Sequence, residues 1–411
     1  MRELLDKLIL YEIAQEEREL MLAAAGGEGQ GPFLRHLLEL SGRHGLSGDL
    51  WRCYVAWLIA SAQNTFSLAQ ERRAQSKAAE TLGRRDLSVL RELFFWPWPP
   101  QYRELMICME TAGRPSDAGL AVMELAKALA QSEDEEGFAR AGQVFYHRYG
   151  AGLFGMNRAF NVRVDEKGRA RLNPLRNTEE ISLDSLIGYE TQKQRLRDNT
   201  EAFIAGRPAN NVLLYGDGGT GKSTSIRAIA SSYWRQGLRI IQIYRHQMKY
   251  LTQIIDEIKN RNYRFIIYMD DLSFEDFETE YKYLKAVIEG GLEPRPENVL
   301  IYATSNRRHL IKETFKDRND IDYEGDIHRS DSMEEKLSLA ERFGLQIYYG
   351  KPGRDEFHRI VLELAKREGL SLDAEKLHSE ATKWEIRRGG VSGRSARQLI
   401  DYLKGMEGKT Q

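Results

Sequence analysis

The chain has 411 residues, 41 % hydrophobic and 29 % charged, with 60 Lys and Arg against 61 Asp and Glu and a net charge of −1. That balance describes a folded chain of two or three domains and excludes global disorder. A near-zero charge supplies no overall basic field, so nucleic acid is possible through a local groove but is not indicated.

Residues 1–150 read as a helical N-terminal domain. Leu4, Leu5, Leu8, Ile9 and Ile13 recur at helical steps. Charges interrupt the same run every few residues, so no secretory signal is expected. No stretch approaches the ~20 apolar residues of a membrane span, so no membrane partner is expected and the cytoplasm is the expected compartment. A glycine-rich break at 26–32 separates helices. Further helices are predicted near 33–41, 49–63, 66–81, 87–94 and 116–131. The run FFWPWPP at 94–100 cannot be helical inside, because its prolines lack the N–H. It reads as a core plug or elbow, or as a docking patch. Cys53 and Cys108 are too few for a disulfide framework or a zinc cluster.

Residues 151–181 read as a β-hairpin and linker. FNVRV (160–164) and RARLN (169–173) flank a turn at Asp165, Glu166, Lys167 and Gly168. Thereafter strand-like and helix-like runs alternate, as in a parallel α/β sheet. Five strands are predicted: NVLLY (211–215), RIIQIY (239–244), RFIIYM (264–269), VLIYAT (299–304) and LQIYY (345–349). Each is short, apolar and rich in β-branched or aromatic residues, as strands buried on both faces are. The expected domains are an α/β domain over 182–350 and a helical lid over 351–411, with helices near 354–368, 373–387 and 394–406. The stretch 312–336 is charged and reads as a solvated loop.

One motif carries chemistry. Gly216, Asp217, Gly218, Gly219, Thr220, Gly221, Lys222 and Ser223 fit G-x-x-x-x-G-K-[ST], with a strand before and a helix starting through Thr224 after. The glycines let backbone N–H groups turn inward onto phosphate oxygens, and the helix adds its positive end. Lys222 is expected to reach the β- and γ-phosphates, and the Ser223 hydroxyl to ligate Mg²⁺. The strand 264–269 ends in Asp270 and Asp271. Asp270 is expected to hold Mg²⁺ together with Ser223, and Asp271 to orient the attacking water. Glu275 is a second candidate for that base.

With these residues in place the chain resembles the AAA+ ATPase superfamily from about Ser182 to Met406. The resemblance implies a P-loop α/β domain with a five-stranded parallel sheet and a C-terminal helical lid, here preceded by an all-α domain. It also implies ATP or ADP as ligand, ATP hydrolysis, a ring homo-oligomer and a protein client. The segment at 184–190, with Gly188 and Tyr189, is similar to the part that lines the adenine pocket. Asn306 matches the polar sensor 1 tip. Arg342 is similar to the arginine finger that reaches a neighbouring subunit's site. Arg394 aligns with the lid's sensor 2 arginine, with Arg397 as the substitute. The chain is also similar to a bacterial AAA+ family known only as a domain of unknown function, which shares the DDLSFE signature at 270–275.

Two features depart from the commoner pattern. Asp271 stands where most members carry Glu, which shortens its reach by a methylene and fits a slow switch or loader acting on a replication- or transposition-type client. The stretch 245–250 lacks the pore-loop triplet of protein unfoldases, so processive threading is not expected.

Overall fold

The protein is described by a computed structural model over residues 1–27, 30–107, 115–175, 180–274, 280–290, 295–306, 339–388 and 390–407. Cys108, Glu275 and the stretch 312–336 lie outside these residues. The chain divides into two compact units, Met1–Arg158 with Pro174–Thr178, and Ala159–Asn173 with Glu179–Gln411.

The first unit is helical: α1 (Arg2–Lys7), α2 (Gln15–Ala25), α3 (Gln30–His44), α4 (Leu50–Ser61), α5 (Thr65–Arg72), α6 (Lys77–Phe94), α7 (Pro100–Ile107), α8 (Asp117–Ala130), α9 (Glu135–Tyr149) and α10 (Gly152–Met156). Helix α4 is apolar on nearly every side and buries Trp51, Tyr54, Val55 and Ile59. Such a helix must be surrounded, and α3, α6, α8, α9 and α10 all pack on it. The predicted helix at 66–81 is two pieces. Arg73 turns left-handed at φ 52° and ends α5, and Ser76 caps the next helix by accepting the Ala79 N–H. The FFWPWPP run joins α6 to α7 and serves as a core plug. Trp98 is buried, stacked on Phe33 at 5.6 Å and edge-on to Trp51 at 5.2 Å. Asp86 is buried too, and its carboxylate accepts the N–H groups of Ile9, Leu10 and Tyr11, which satisfies the charge and anchors the N-terminal segment.

The second unit holds a seven-stranded sheet in the order β2-β1-β4-β5-β6-β3-β7. The strands are β1 (Ala159–Val164), β2 (Ala170–Pro174), β3 (Val212–Gly216), β4 (Leu238–Gln242), β5 (Arg264–Met269), β6 (Val299–Ser305) and β7 (Leu345–Tyr349). The five expected strands form its parallel core. The sheet is larger than expected because the hairpin joins it: β1 runs parallel to β4, with Phe160 opposite Ile241. An unpaired β4 would present a bare row of backbone donors and acceptors, and the hairpin covers it. The new edge is met in turn by Gln253, whose amide bonds both the N–H and the carbonyl of Ala170. Around the sheet lie α11 (Glu190–Ile204), α12 (Lys222–Tyr233), α13 (Leu251–Ile258) and α14 (Tyr281–Glu289).

The tail forms three helices, α15 (Arg354–Arg367), α16 (Ala374–Arg388) and α17 (Gly393–Glu407). Phe357, Val361, Leu377, Ala381, Leu399 and Ile400 make a separate small core, and Ile187 packs against it. The fold class implied by the resemblance is the one found: a P-loop α/β domain with a helical lid. Among the described residues no helix is long and apolar enough to cross a membrane.

Candidate functional site

Strand β3 is buried except at the half-buried Tyr215 and delivers Gly216 to the carboxyl edge of the sheet, where α/β folds bind their ligands. Gly216 has φ 128°, and a Cβ there would sit 2.3 Å from the Tyr349 carbonyl oxygen. Gly221 has φ 95°, and a Cβ there would meet Leu186 at 2.5 Å. Only glycine fits either place. Between them the loop is tied to itself. Thr220, 1 % exposed, donates to the Asp217 carbonyl at 2.8 Å. The Asp217 carboxylate accepts the Lys351 N–H at 3.1 Å, and the Asp217 N–H donates to the Tyr349 carbonyl at 3.1 Å. Gly218 faces Asn306. Lys222, Ser223 and Thr224 form the first turn of α12.

Lys222 is folded back into this cradle. Its Nζ donates to the carbonyls of Gly216 at 2.8 Å and Asp217 at 2.6 Å, and to Asn306 Oδ1 at 3.1 Å. Burial lowers its pKa from the usual lysine value, while Asp217, Asp271 and Asp270 pull it back up.

Asp270 and Asp271 stand beside the loop because β5 ends there. Asp270 Oδ1 accepts from Ser223 Oγ at 2.7 Å and from Thr304 Oγ1 at 2.6 Å. Burial pushes this carboxyl up, but the hydroxyls of Thr304 and Ser223, with Tyr268 and the charge of Arg227, together hold its pKa below the usual value. Asp271 is a non-glycine residue in the left-handed region, φ 51°. Its carboxylate accepts Asn306 Nδ2 at 2.7 Å. Asn306 therefore bridges Lys222 and Asp271. An open cleft beside the loop is lined by Tyr215, Gly216, Asp217, Asn306 and Tyr348.

On the far side, Gly188 lies against Glu356 of α15. Tyr189 is left-handed at φ 60°, stacks on Tyr349 with ring centroids 5.1 Å apart and donates to the Gly350 carbonyl at 2.8 Å. Burial first, then Glu356, push its phenol up to about 12. The lid closes the loop from above, where the Arg394 N–H donates to the Gly219 carbonyl at 3.0 Å. Arg397 is turned away and pairs with Glu368 at 2.8 Å and Asp401 at 3.3 Å.

The structure thus brings together the loop, Lys222, Ser223, Asp270, Asp271, Asn306 and Arg394, with Gly188 and Tyr189 at one end. It does not bring Arg342 there, since Arg342 pairs with Glu289 of α14. Sequence reasoning passed over Thr304, although it lies two residues before Asn306, and it passed over the Lys351 clasp on Asp217, which has no motif. The donor chemistry suits Mg²⁺: a serine hydroxyl and a carboxylate kept ionised converge within 2.7 Å at a helix N-terminus.

A P-loop cradle between a parallel sheet and a helical lid defines a protein of the P-loop α/β fold. Residues 156–407, more than half of the chain, match the family described as "Protein of unknown function (DUF815)", and the chain belongs to that family. No curated protein matches the chain significantly. Among solved structures it is similar to the RuvB Holliday junction branch migration motor of Thermotoga maritima, at 17 % identity over 56 % of this chain and 65 % of that one, TM-score 0.38. Two point variants of that protein give 18 % identity, 55 % and 64 % coverage and TM-score 0.38, and 19 %, 56 % and 67 % with 0.40. The chain thus spans about two thirds of the length of those structures, a likeness that says nothing about activity.

Proposed function

We propose that the chain is an ATPase of the AAA+ type that binds ATP with Mg²⁺ at Gly216–Ser223 and hydrolyses it to remodel a protein client. The carrying observation is the 2.7 Å contact between Ser223 and Asp270 at the mouth of the loop, beside a lysine whose hydrogen-bond partners among the described residues are loop carbonyls and Asn306. On ATP binding, Lys222 exchanges those partners for the β- and γ-phosphate oxygens and neutralises their charge. Ser223 and Asp270 would hold Mg²⁺, which would supply a second positive charge at the phosphates. Asp271 releases Asn306 and orients water for in-line attack, and Asn306 holds that water from the other side. Arg394 senses the phosphates from the lid. Arg342 acts on the site of a neighbouring copy in a ring. ATP, ADP, the second copy and the unidentified client are the partners, and a soluble cytoplasmic setting suits them. A small-molecule kinase would share the loop but would have no need of Arg394 or the lid.

A second reading, a slowly hydrolysing switch or loader, is favoured by one observation: Asp271 is both short and already engaged by Asn306 at 2.7 Å. Calorimetry with an ATP analogue and a phosphate-release assay test both readings. ATP binding with repeated turnover, lost in Lys222→Ala by about 100-fold in affinity, supports the ATPase. Binding followed by a single turnover supports the switch. Wild-type protein that ignores ATP in magnesium removes both.

A further inference from the structure

Thr304 sits at the point where β5 and β6 part. Their pairing ends with Met269 opposite Ala303, and the next residues of the β5 chain are the two aspartates. Asp271 takes a left-handed turn there, φ 51°, a conformation that most side chains avoid and that aspartate tolerates when local hydrogen bonds support it. Asn306 holds its carboxylate, and Thr304 holds the backbone of the turn. The Thr304 hydroxyl accepts the Asp271 N–H at 2.9 Å and donates its own proton to Asp270 Oδ1 at 2.6 Å. The Thr304 carbonyl takes the next N–H, that of Leu272, at 2.7 Å. Thr304 is 1 % exposed, so no water substitutes easily for these bonds.

We propose that Thr304 is a positioning residue for ATP hydrolysis: one hydroxyl fixes the aspartate that holds magnesium and the kink that aims the aspartate that orients water. The inference rests on the ATPase reading above. Thr304 acts through Asp270 and Asp271. Its two roles use the two faces of one hydroxyl, donor toward Asp270 and acceptor toward Asp271. Valine, of nearly the same shape, removes both bonds at once, whereas serine keeps both.

The test compares full-length wild type, Thr304→Val and Thr304→Ser. Phosphate release yields kcat and KM, and a magnesium titration with a fluorescent ATP analogue reads metal-dependent binding without turnover. The expected result for Thr304→Val is a kcat lower by about tenfold or more, KM within about threefold, and a magnesium requirement raised by about threefold or more. Thr304→Ser restores kcat and the magnesium requirement to within about twofold of wild type. A purely structural role would lower the melting temperature and weaken binding and turnover together, and Ser would not rescue it. Wild-type kcat and magnesium dependence in Thr304→Val, or equal loss in the Ser variant, overturns the inference while leaving the ATPase intact. A wild type without ATP binding overturns the ATPase reading, and the role of Thr304 falls with it.

Discussion

The resemblance implies Arg394 at the chain's own phosphate site and Arg342 at a neighbouring subunit's, and the fold treats the two arginines differently. Arg394 opens α17, and its backbone N–H is hydrogen-bonded to Gly219 of the loop. Arg342 lies just before β7 and pairs with Glu289 of α14. The first reaches the site along its own chain. The second is held at α14, and under the proposed function it would serve a neighbouring copy's site after leaving that carboxylate. An arginine's part in a site is decided by the element that carries it and by the competitors it meets on the way, and residue type says little of either.

The largest expected effect breaks or sharpens that contrast directly. Arg342→Ala lowers turnover of the assembled protein by about 1000-fold while ATP affinity holds. Mixing it with Lys222→Ala protein restores turnover, because each chain supplies what the other lacks. Undiminished turnover in Arg342→Ala would leave that arginine a purely local partner of Glu289. A smaller effect attaches to the lid: Arg394→Ala reduces kcat by about tenfold, and Arg397→Ala changes it by less than about twofold, since Arg397 is already committed to Glu368 and Asp401. Equal losses in a steady-state assay would mean that the lid moves further than its resting contacts suggest.

The smallest expected effect concerns the lid's own stability. His358 is buried and stacked on His378 at 3.9 Å. Burial, then His378, lowers its pKa from 6.5, with Glu385 opposing. The unfolded state therefore takes up a proton before the folded state does. Stability is full above about pH 6.5 and is lost as the pH falls through the interval down to the lowered folded value. The melting transition of the unit that carries the lid should fall between about pH 7.5 and pH 5.5, and His358→Phe should flatten that slope. A variant with an unchanged slope would place its origin elsewhere.

Much of this site was legible in the amino-acid sequence. A glycine-rich loop between a buried strand and a helix has one common solution, and Gly216, Gly221, Lys222 and Ser223 occupy it. The strand ending in Asp270 and Asp271 was readable for a related reason: an apolar run buried on both faces must stop where carboxylates begin. The same local logic placed the break at FFWPWPP, where proline forbids a helix. It did not place Arg73, because a left-handed turn at arginine leaves no trace in residue type. Nor did it reveal the hairpin's partner, since strand pairing depends on which edge is left bare after the rest of the sheet has formed.

The amino-acid sequence alone thus determined the phosphate loop, the five core strands and the helical lid, because each follows from backbone geometry and burial over a dozen neighbouring residues. Tertiary structure alone decided that Thr304 clasps both aspartates, that Asn306 bridges Lys222 to Asp271, and that Arg394 rather than Arg397 lies on the loop. Those are contacts between residues far apart in the chain, set by strand order and packing, and no local pattern records them.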